Sequence, residues 1–160
     1  IIKDSLAKFQ GGERRIEVKY TIPNNILIID DYAHHPSEIE ATIKSARLGW
    51  NINNLIIVFQ PHLYSRTKNF YKEFSDALSY ADIVLITEIY PAREKKINGV
   101  NSELILNEMK NTNCLSVKSN HISKSLCDLA NDNDFIIVMG AGDIREKVTD
   151  IYNKIEGNIN

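Results

Sequence analysis

A set of short apolar runs with no polar face constrains this chain most. LIIVF (residues 55–59), DIVLI (82–86), CLSV (114–117) and FIIVM (135–139) are continuous and rich in β-branched side chains. A strand that alternates polar and apolar residues can leave one face in water, whereas a strand apolar at every position needs cover on both. Most of these runs lead directly into a stretch of helical period. Phe70, Phe74, Ala77, Leu78 and Ala81 follow the first; Ile122, Leu126 and Leu129 follow CLSV; Ile144, Val148, Ile151, Tyr152 and Ile155 follow the last. DIVLI leads through a long polar loop to a helix expected near Ser102 to Lys110. ILIID (26–30) begins the series and precedes a helix from about Ser37, with Ile39, Ile43, Ala46 and Trp50 at helical spacing. Strand followed by helix, repeated, predicts an α/β fold: a doubly wound, mostly parallel six-stranded sheet.

The sixth strand is the first in the chain. In RRIEVKYTI, Ile16, Val18, Tyr20 and Ile22 alternate, which predicts one shared apolar face. Pro23-Asn24-Asn25 is too short for a crossover, so this strand pairs antiparallel with ILIID at the sheet edge. Upstream, Ile2, Leu6 and Phe9 fit the last turns of a helix that Gly11 and Gly12 stop. Residues 1–10 thus read as the end of a preceding domain or a linker helix, and 11–160 as one domain. The chain opens on Ile1 in helical pattern, as expected of a piece of a longer cytosolic chain.

Bulk properties remove several function classes. The net charge is -2 and the pI is near 6.1, so no overall field gathers nucleic acid or an anionic membrane. No apolar run approaches the ~20 residues of a membrane span. Cys114 and Cys127 stand thirteen apart, without metal or redox spacing, and read as buried free thiols in a reducing compartment.

Polar residues cluster where the strands end. Asp30-Asp31-Tyr32-Ala33-His34-His35-Pro36 follows ILIID, Gln60 to Thr67 follows LIIVF, Glu88 to Glu94 follows DIVLI, and Gly140-Ala141-Gly142-Asp143 follows FIIVM. Ligands of open parallel sheets bind beyond the carboxyl ends of the strands, so four such segments point to one crevice. Three readings stand for it. Asp31, His34, His35 and His62 are acceptable zinc or iron ligands, which admits a metallohydrolase built on the three histidines. The same side chains can cap helices and satisfy loop carbonyls. They can also line a binding crevice, where Arg66 and Arg93 would suit a carboxylate or phosphate. GAGD is compatible with a phosphate turn or with tight strand-to-helix packing. No GxxxxGK[ST] loop occurs in the sequence, so phosphates of a bound nucleotide would be cradled elsewhere.

FQGGERRIEV, DDYAHHPSEIEATIKSAR, VFQPHLYSRT, IYPAREKKINGVNS and GAGDI, in that order from about Ala7 to Ile144, resemble the Mur ligases of peptidoglycan synthesis. The match is to their C-terminal domain, and within the family to the members that join L-alanine to UDP-N-acetylmuramate. The resemblance implies a dinucleotide-fold-like domain that closes over an ATP site in a three-domain bacterial, cytoplasmic enzyme serving cell wall biogenesis, cell shape and division. ATP and Mg would be held mainly by a central domain absent from this chain. The implied reaction passes through an acyl phosphate on the muramoyl carboxylate, which the amine of L-alanine attacks. Residue by residue, the resemblance implies nucleotide contacts for Asp31 and Arg15, and an L-alanine pocket of Tyr32, His34, His62 and Arg66. His34 would also help the ammonium lose its proton, and no metal ligand is implied in this chain. Ile16 stands where the family has phenylalanine, and Leu63 where some members have a second arginine. A related ligase that recycles a tripeptide onto the same UDP sugar shares the DDxAHHP segment; QPHLYSRT and IYPARE favour the alanine enzyme.

Overall fold

The computed structural model describes residues 15–110 and 113–159. The helical turns expected over residues 1–10, and Gly11 and Gly12 with them, lie outside these residues. Six strands, β1 (Glu17–Ile22), β2 (Ile26–Asp31), β3 (Leu55–Phe59), β4 (Ile83–Ile86), β5 (Asn113–Ser116) and β6 (Phe135–Met139), form one sheet in the order β1-β2-β6-β3-β4-β5. The β1–β2 pair is antiparallel and every other pair is parallel, as the sequence predicts. Among the described residues five α-helices accompany the sheet: α1 (Pro36–Gly49), α2 (Tyr64–Leu78), α3 (Glu103–Leu106), α4 (Ile122–Leu129) and α5 (Val148–Ile159).

The all-apolar strands do what their composition demands. Every residue of β3 and β6 is buried. Their side chains alternate between two cores: Leu55, Ile57, Phe59, Phe135, Ile137 and Met139 face α1, α2 and α3, while Ile56, Val58, Ile136 and Val138 face α4 and α5. Burying each such side chain contributes about 1.5–3 kcal/mol before chain entropy is subtracted. Right-handed crossovers explain which helices share a face. The chain steps from β2 to β3, β4 and β5 in one direction, then returns to insert β6 between β2 and β3. The return puts α4 and α5 on the face opposite α1, α2 and α3.

The turn into β2 uses its two asparagines. Asn24 and Asn25 take φ of 68° and 60°, a region that short polar side chains tolerate better than most others. The strand before it departs from the expected alternation. Val18 pairs with Ile29 but Tyr20 pairs with Ile28, so Lys19 is an extra residue in a bulge. A bulge switches faces: Tyr20 and Ile22 pack on the α5 side, whereas Ile16 packs on the α1 side and Val18 stays exposed. Three other expectations are corrected. The helix expected to Lys110 ends at Leu106. The β5 run lies at the sheet edge and leaves Leu115 exposed instead of covered on both faces. Cys114 and Cys127 are free thiols but only partly buried.

At the end of the sheet opposite the crevice, Asp134 is wholly buried just before β6. It accepts the backbone N–H of Asn54 at 3.1 Å, the Asn54 amide at 2.8 Å and the N–H of Asn131 at 2.8 Å. One carboxylate thereby aligns the starts of the two central strands. Asp134→Ala strands three donors, and a loss of about 2–4 kcal/mol is expected in urea unfolding, with Asn54→Ala costing less.

Candidate functional site

Because β6 sits between β2 and β3 while its outgoing helix leaves on the opposite face, a crevice opens beyond the carboxyl ends of these three strands. Asp31, the last residue of β2, forms its floor and is almost fully buried. Its Oδ2 accepts the Ile16 N–H at 2.8 Å and the Thr42 hydroxyl at 3.4 Å, and its Oδ1 accepts the Ala33 N–H at 2.8 Å. Burial still outweighs these donors and pushes the Asp31 carboxyl above its ordinary value, with the neighbouring Asp30 adding to the rise. Ile16 adopts φ of 47°, an unusual conformation for a β-branched residue, and its bond to Asp31 helps hold it there. Arg15, Asp31, Tyr32, Glu38 and Thr42 line an open cavity of about 250 Å³. Arg15 and Asp31, the two residues tied to a nucleotide by resemblance, therefore border one space.

The histidines that follow divide into two roles. His35 precedes α1 and packs edge-on against Phe70 at 5.2 Å, with Nδ1 3.0 Å from the Ser37 hydroxyl. The Glu38 carboxylate accepts the backbone N–H groups of His34 and His35, each at 3.1 Å, which caps the helix. These backbone bonds, with the nearby histidines, hold the Glu38 carboxyl below its ordinary value although burial opposes the shift. His34 turns the other way. Its Nδ1 lies 2.9 Å from the Tyr32 carbonyl, which can only accept, so Nδ1 carries the proton and Nε2 is left as an acceptor. The His34 ring packs edge-on to Tyr32 at 5.0 Å and to His62 at 6.1 Å. The three-histidine metal reading does not survive this arrangement. His34 and His62 face each other, His35 is committed to α1, and no group of three metal-ligating side chains converges among the described residues.

His62 and Arg66 come from the loop after β3 and the first turn of α2. The loop is zipped to the one after β4: Tyr90 N–H donates to the Pro61 carbonyl at 2.8 Å, and Leu63 N–H donates to the Tyr90 carbonyl at 2.9 Å. The His62 ring stacks on Tyr90 at 5.6 Å with the planes 18° apart. Burial, reinforced by the Arg66 guanidinium and by His34, holds His62 below the ordinary imidazole value of 6.5. Two buried atoms here have no hydrogen-bond partner among the described residues, His62 Nδ1 and Arg66 Nη1. Buried polar atoms are normally satisfied, so a pair of orphans at a strand end marks a place for a ligand. Arg93, also at a strand end, is exposed and outside this group.

The turn after β6 closes the crevice by close packing. Gln60 is buried; its Nε2 donates to Asp143 Oδ1 at 2.8 Å and its Oε1 accepts the Ile144 N–H at 3.2 Å. Gly140 has φ of 152°, and a Cβ there would stand 3.1 Å from the Gln60 carbonyl. A Cβ on Gly142 would meet the Gln60 side chain and come within 2.6 Å of the Tyr90 ring. Of the two meanings open to GAGD, tight packing accounts for both glycines. The crevice thus runs from Arg15, Asp31 and Tyr32, which line one cavity, through ring contacts to His34 and His62, with the Arg66 guanidinium beside His62. Thr42, Gln60, Tyr90 and Glu94 belong to it and were not singled out in the sequence as site residues. Thr42 lies at helical spacing within α1, and the others sit in strand-end segments without a local pattern to distinguish them.

Residues 14–142 match the family described as Mur ligase, glutamate ligase domain. The chain is 38% identical over 154 residues to UDP-N-acetylmuramate–L-alanine ligase of Pelodictyon phaeoclathratiforme, covering 92% of this chain and 32% of that protein. It superimposes on the crystal structure of UDP-N-acetylmuramate-alanine ligase MurC from Thermotoga maritima with a TM-score of 0.76, at 26% identity over 96% of this chain and 32% of that one. A murein peptide ligase from Psychrobacter arcticus shares the fold, with a TM-score of 0.73 at 23% identity, covering 96% of this chain and 32% of that one. The chain spans about a third of the length of the curated relatives it matches.

Two outcomes are expected of the site itself. Gly142→Ala forces Tyr90 or Gln60 to move, and a loss of about 1–3 kcal/mol should appear in thermal or urea unfolding. In a proton NMR titration His62 should lose its charge below pH 6.5. Arg66→Met, which removes a neighbouring positive charge, should move that midpoint upward. Since His62 is lowered in the folded state, its neutral form contributes stability above the ordinary imidazole value that is lost as the pH falls through the lowered one.

Proposed function

Because the chain belongs to the Mur ligase family, matching its glutamate ligase domain over residues 14–142, we propose that it is the C-terminal closing domain of an ATP-dependent ligase. The full protein would join L-alanine to the carboxylate of UDP-N-acetylmuramate, releasing ADP and phosphate in the bacterial cytoplasm. Relatives bearing that activity in their names run at about 40% identity across nine-tenths of this chain. The observation that carries the reading is the orphan pair, His62 Nδ1 and Arg66 Nη1, buried beside His34 at a strand end. A guanidinium beside an imidazole held neutral is suited to a small carboxylate, and L-alanine supplies one.

Each residue has a task in this reading. Arg66 pairs with the alanine carboxylate, His62 accepts or donates one further bond, and Tyr32 and His34 wall the space beside them. His34 keeps Nδ1–H on the Tyr32 carbonyl, so Nε2 is the atom that can take a proton from the incoming ammonium. The free amine then attacks the acyl phosphate carbonyl and the C–N bond forms. The C–O bond to phosphate breaks with its electron pair leaving on phosphate, and the departing phosphate takes the remaining proton that the nitrogen must lose to become the amide. At the other end of the crevice, Asp31 keeps a lone pair on Oδ1 that would take a ribose hydroxyl, and Arg15, which lines the same cavity, would reach for the phosphates. The described residues hold no cluster fit for magnesium, which the reading assigns with the phosphates to the rest of the protein. Acceleration here is positioning and charge stabilisation.

Three measurements test the assignment. The purified 160-residue chain should release no phosphate from ATP with L-alanine and UDP-N-acetylmuramate, while the full-length protein should. Alanine should be preferred to the tripeptide by the full-length protein; preference for the tripeptide would assign it to the recycling ligase instead. Arg66→Ala in the full-length protein should raise KM for alanine by about 10- to 100-fold with KM for ATP nearly unchanged. An equal loss for all substrates would remove Arg66 from the alanine pocket.

A further inference from the structure

Building on the assignment of this pocket to the incoming amino acid, the geometry points to Glu94 as its positioning residue: the Glu94 carboxylate clamps the first turn of α2 and so sets where Arg66 stands. Glu94 lies in the loop after β4 and meets α2 at its first two residues, Tyr64 and Ser65. Its Oε2 accepts the Ser65 backbone N–H at 3.0 Å, and its Oε1 accepts the Ser65 hydroxyl. Ser65 immediately precedes Arg66. The start of α2 needs this outside help. Its N-cap is Leu63, which has no side chain able to cap, and its first turn contains no acidic residue. The first N–H groups of a helix lack internal partners, and a carboxylate beside them is favoured by the helix dipole as well as by the bonds it accepts. The two Ser65 bonds hold the Glu94 carboxyl below its ordinary value, so it is ionised where the clamp must work.

The same loop grips the other half of the pocket. Tyr90, four residues earlier, bonds Pro61 and Leu63 through its backbone and stacks on the His62 ring. Between the two grips lies Leu63 with φ of 75° and ψ of 134°, a conformation a non-glycine residue keeps only when its surroundings over-determine it. They do so from both sides: Leu63 N–H bonds Tyr90, and the Leu63 carbonyl accepts the Thr67 hydroxyl at 2.9 Å and the Thr67 N–H at 3.1 Å. The loop after β4 therefore fixes His62 through Tyr90 and Arg66 through Glu94, across a strained hinge. Glu94 reaches Arg66 through Ser65, and its negative charge also partly offsets the lowering of His62.

The test uses the full-length protein, with phosphate release measured against each substrate in turn. Glu94→Ala should raise KM for alanine about tenfold while KM for ATP and for the UDP sugar stay within about twofold. Glu94→Gln keeps one acceptor for the Ser65 N–H and should recover most of the loss. Ser65→Ala removes only the hydroxyl and should shift alanine KM in the same direction by less, and adding it to Glu94→Ala should change nothing further. Amide exchange in residues 63–67 should quicken in Glu94→Ala. An unchanged alanine KM in Glu94→Ala or Ser65→Ala overturns the clamp, as does a parallel rise in all three KM values that Glu94→Gln fails to reverse. A wild-type protein without alanine-dependent phosphate release fails the functional reading itself and takes this proposal with it, so the wild-type assay separates the two failures.

Discussion

The insertion of β6 between β2 and β3 is the constraint on which the rest of this structure depends. β6 has neighbours on both edges and helices over both faces, so every one of its five residues is apolar and buried. Its place in the sheet forces the chain to reverse direction, and the reversal sends α5 out on the face opposite α1 and α2. Strand ends whose helices diverge leave a gap above them. The crevice is thus a consequence of topology, and the polar residues at its rim occupy positions the sheet could not use for its core. The close approach of Gly142 to Tyr90 and Gln60 shows the cost of the arrangement. Three strand ends crowd one space, and a side chain at that turn would not fit.

Asp31 links this framework to the segment that enters the sheet. Ile16, strained and β-branched, donates its N–H to the Asp31 carboxylate, and the Lys19 bulge just downstream lets Ile16 face α1 while Ile22 faces α5. Without the bulge the strand would present one continuous face, and Ile16 would point away from the crevice. The anchoring brings Arg15 to the rim of the cavity that Asp31 floors. A carboxylate carrying three protein donors at a strand end fixes backbone first, and any ligand must share what remains of its lone pairs.

Much of the fold was legible in the sequence because its main signals are local. Continuous β-branched runs, helical spacing after them and a two-asparagine turn each follow from nearby residues. Failures arose where the deciding contact is distant or where a pattern carries no mark of its exception. An inserted residue in β1 leaves the alternation of Ile16, Val18, Tyr20 and Ile22 looking intact while reversing which face Ile16 covers. CLSV reads like a central strand until its edge position is known. Of the site, Asp31, Tyr32, His34, His62 and Arg66 were visible as strand-end residues, and the capping role of His35 was among the readings open to it. The grip of Glu94 on Ser65 was not, because 29 residues separate them and no local rule joins the two.

Satisfied and unsatisfied polar groups are distributed unevenly along the crevice, and the unevenness separates support from function. Glu38, Gln60 and Glu94 spend their hydrogen-bonding capacity on backbone and neighbouring side chains, holding loops that would otherwise move. His62 and Arg66 are held by those loops yet keep a buried nitrogen each without a partner. A folded domain tolerates such orphans only at a cost of about 1–3 kcal/mol apiece. In the proposed function a carboxylate would recover that cost, since the orphan nitrogens would gain bonds without any further ordering of the protein. Pre-organisation of this kind requires that the supporting contacts already be complete before the ligand binds. The loop after β4 meets that requirement, with Tyr90 against His62 and Glu94 against Ser65 already in place.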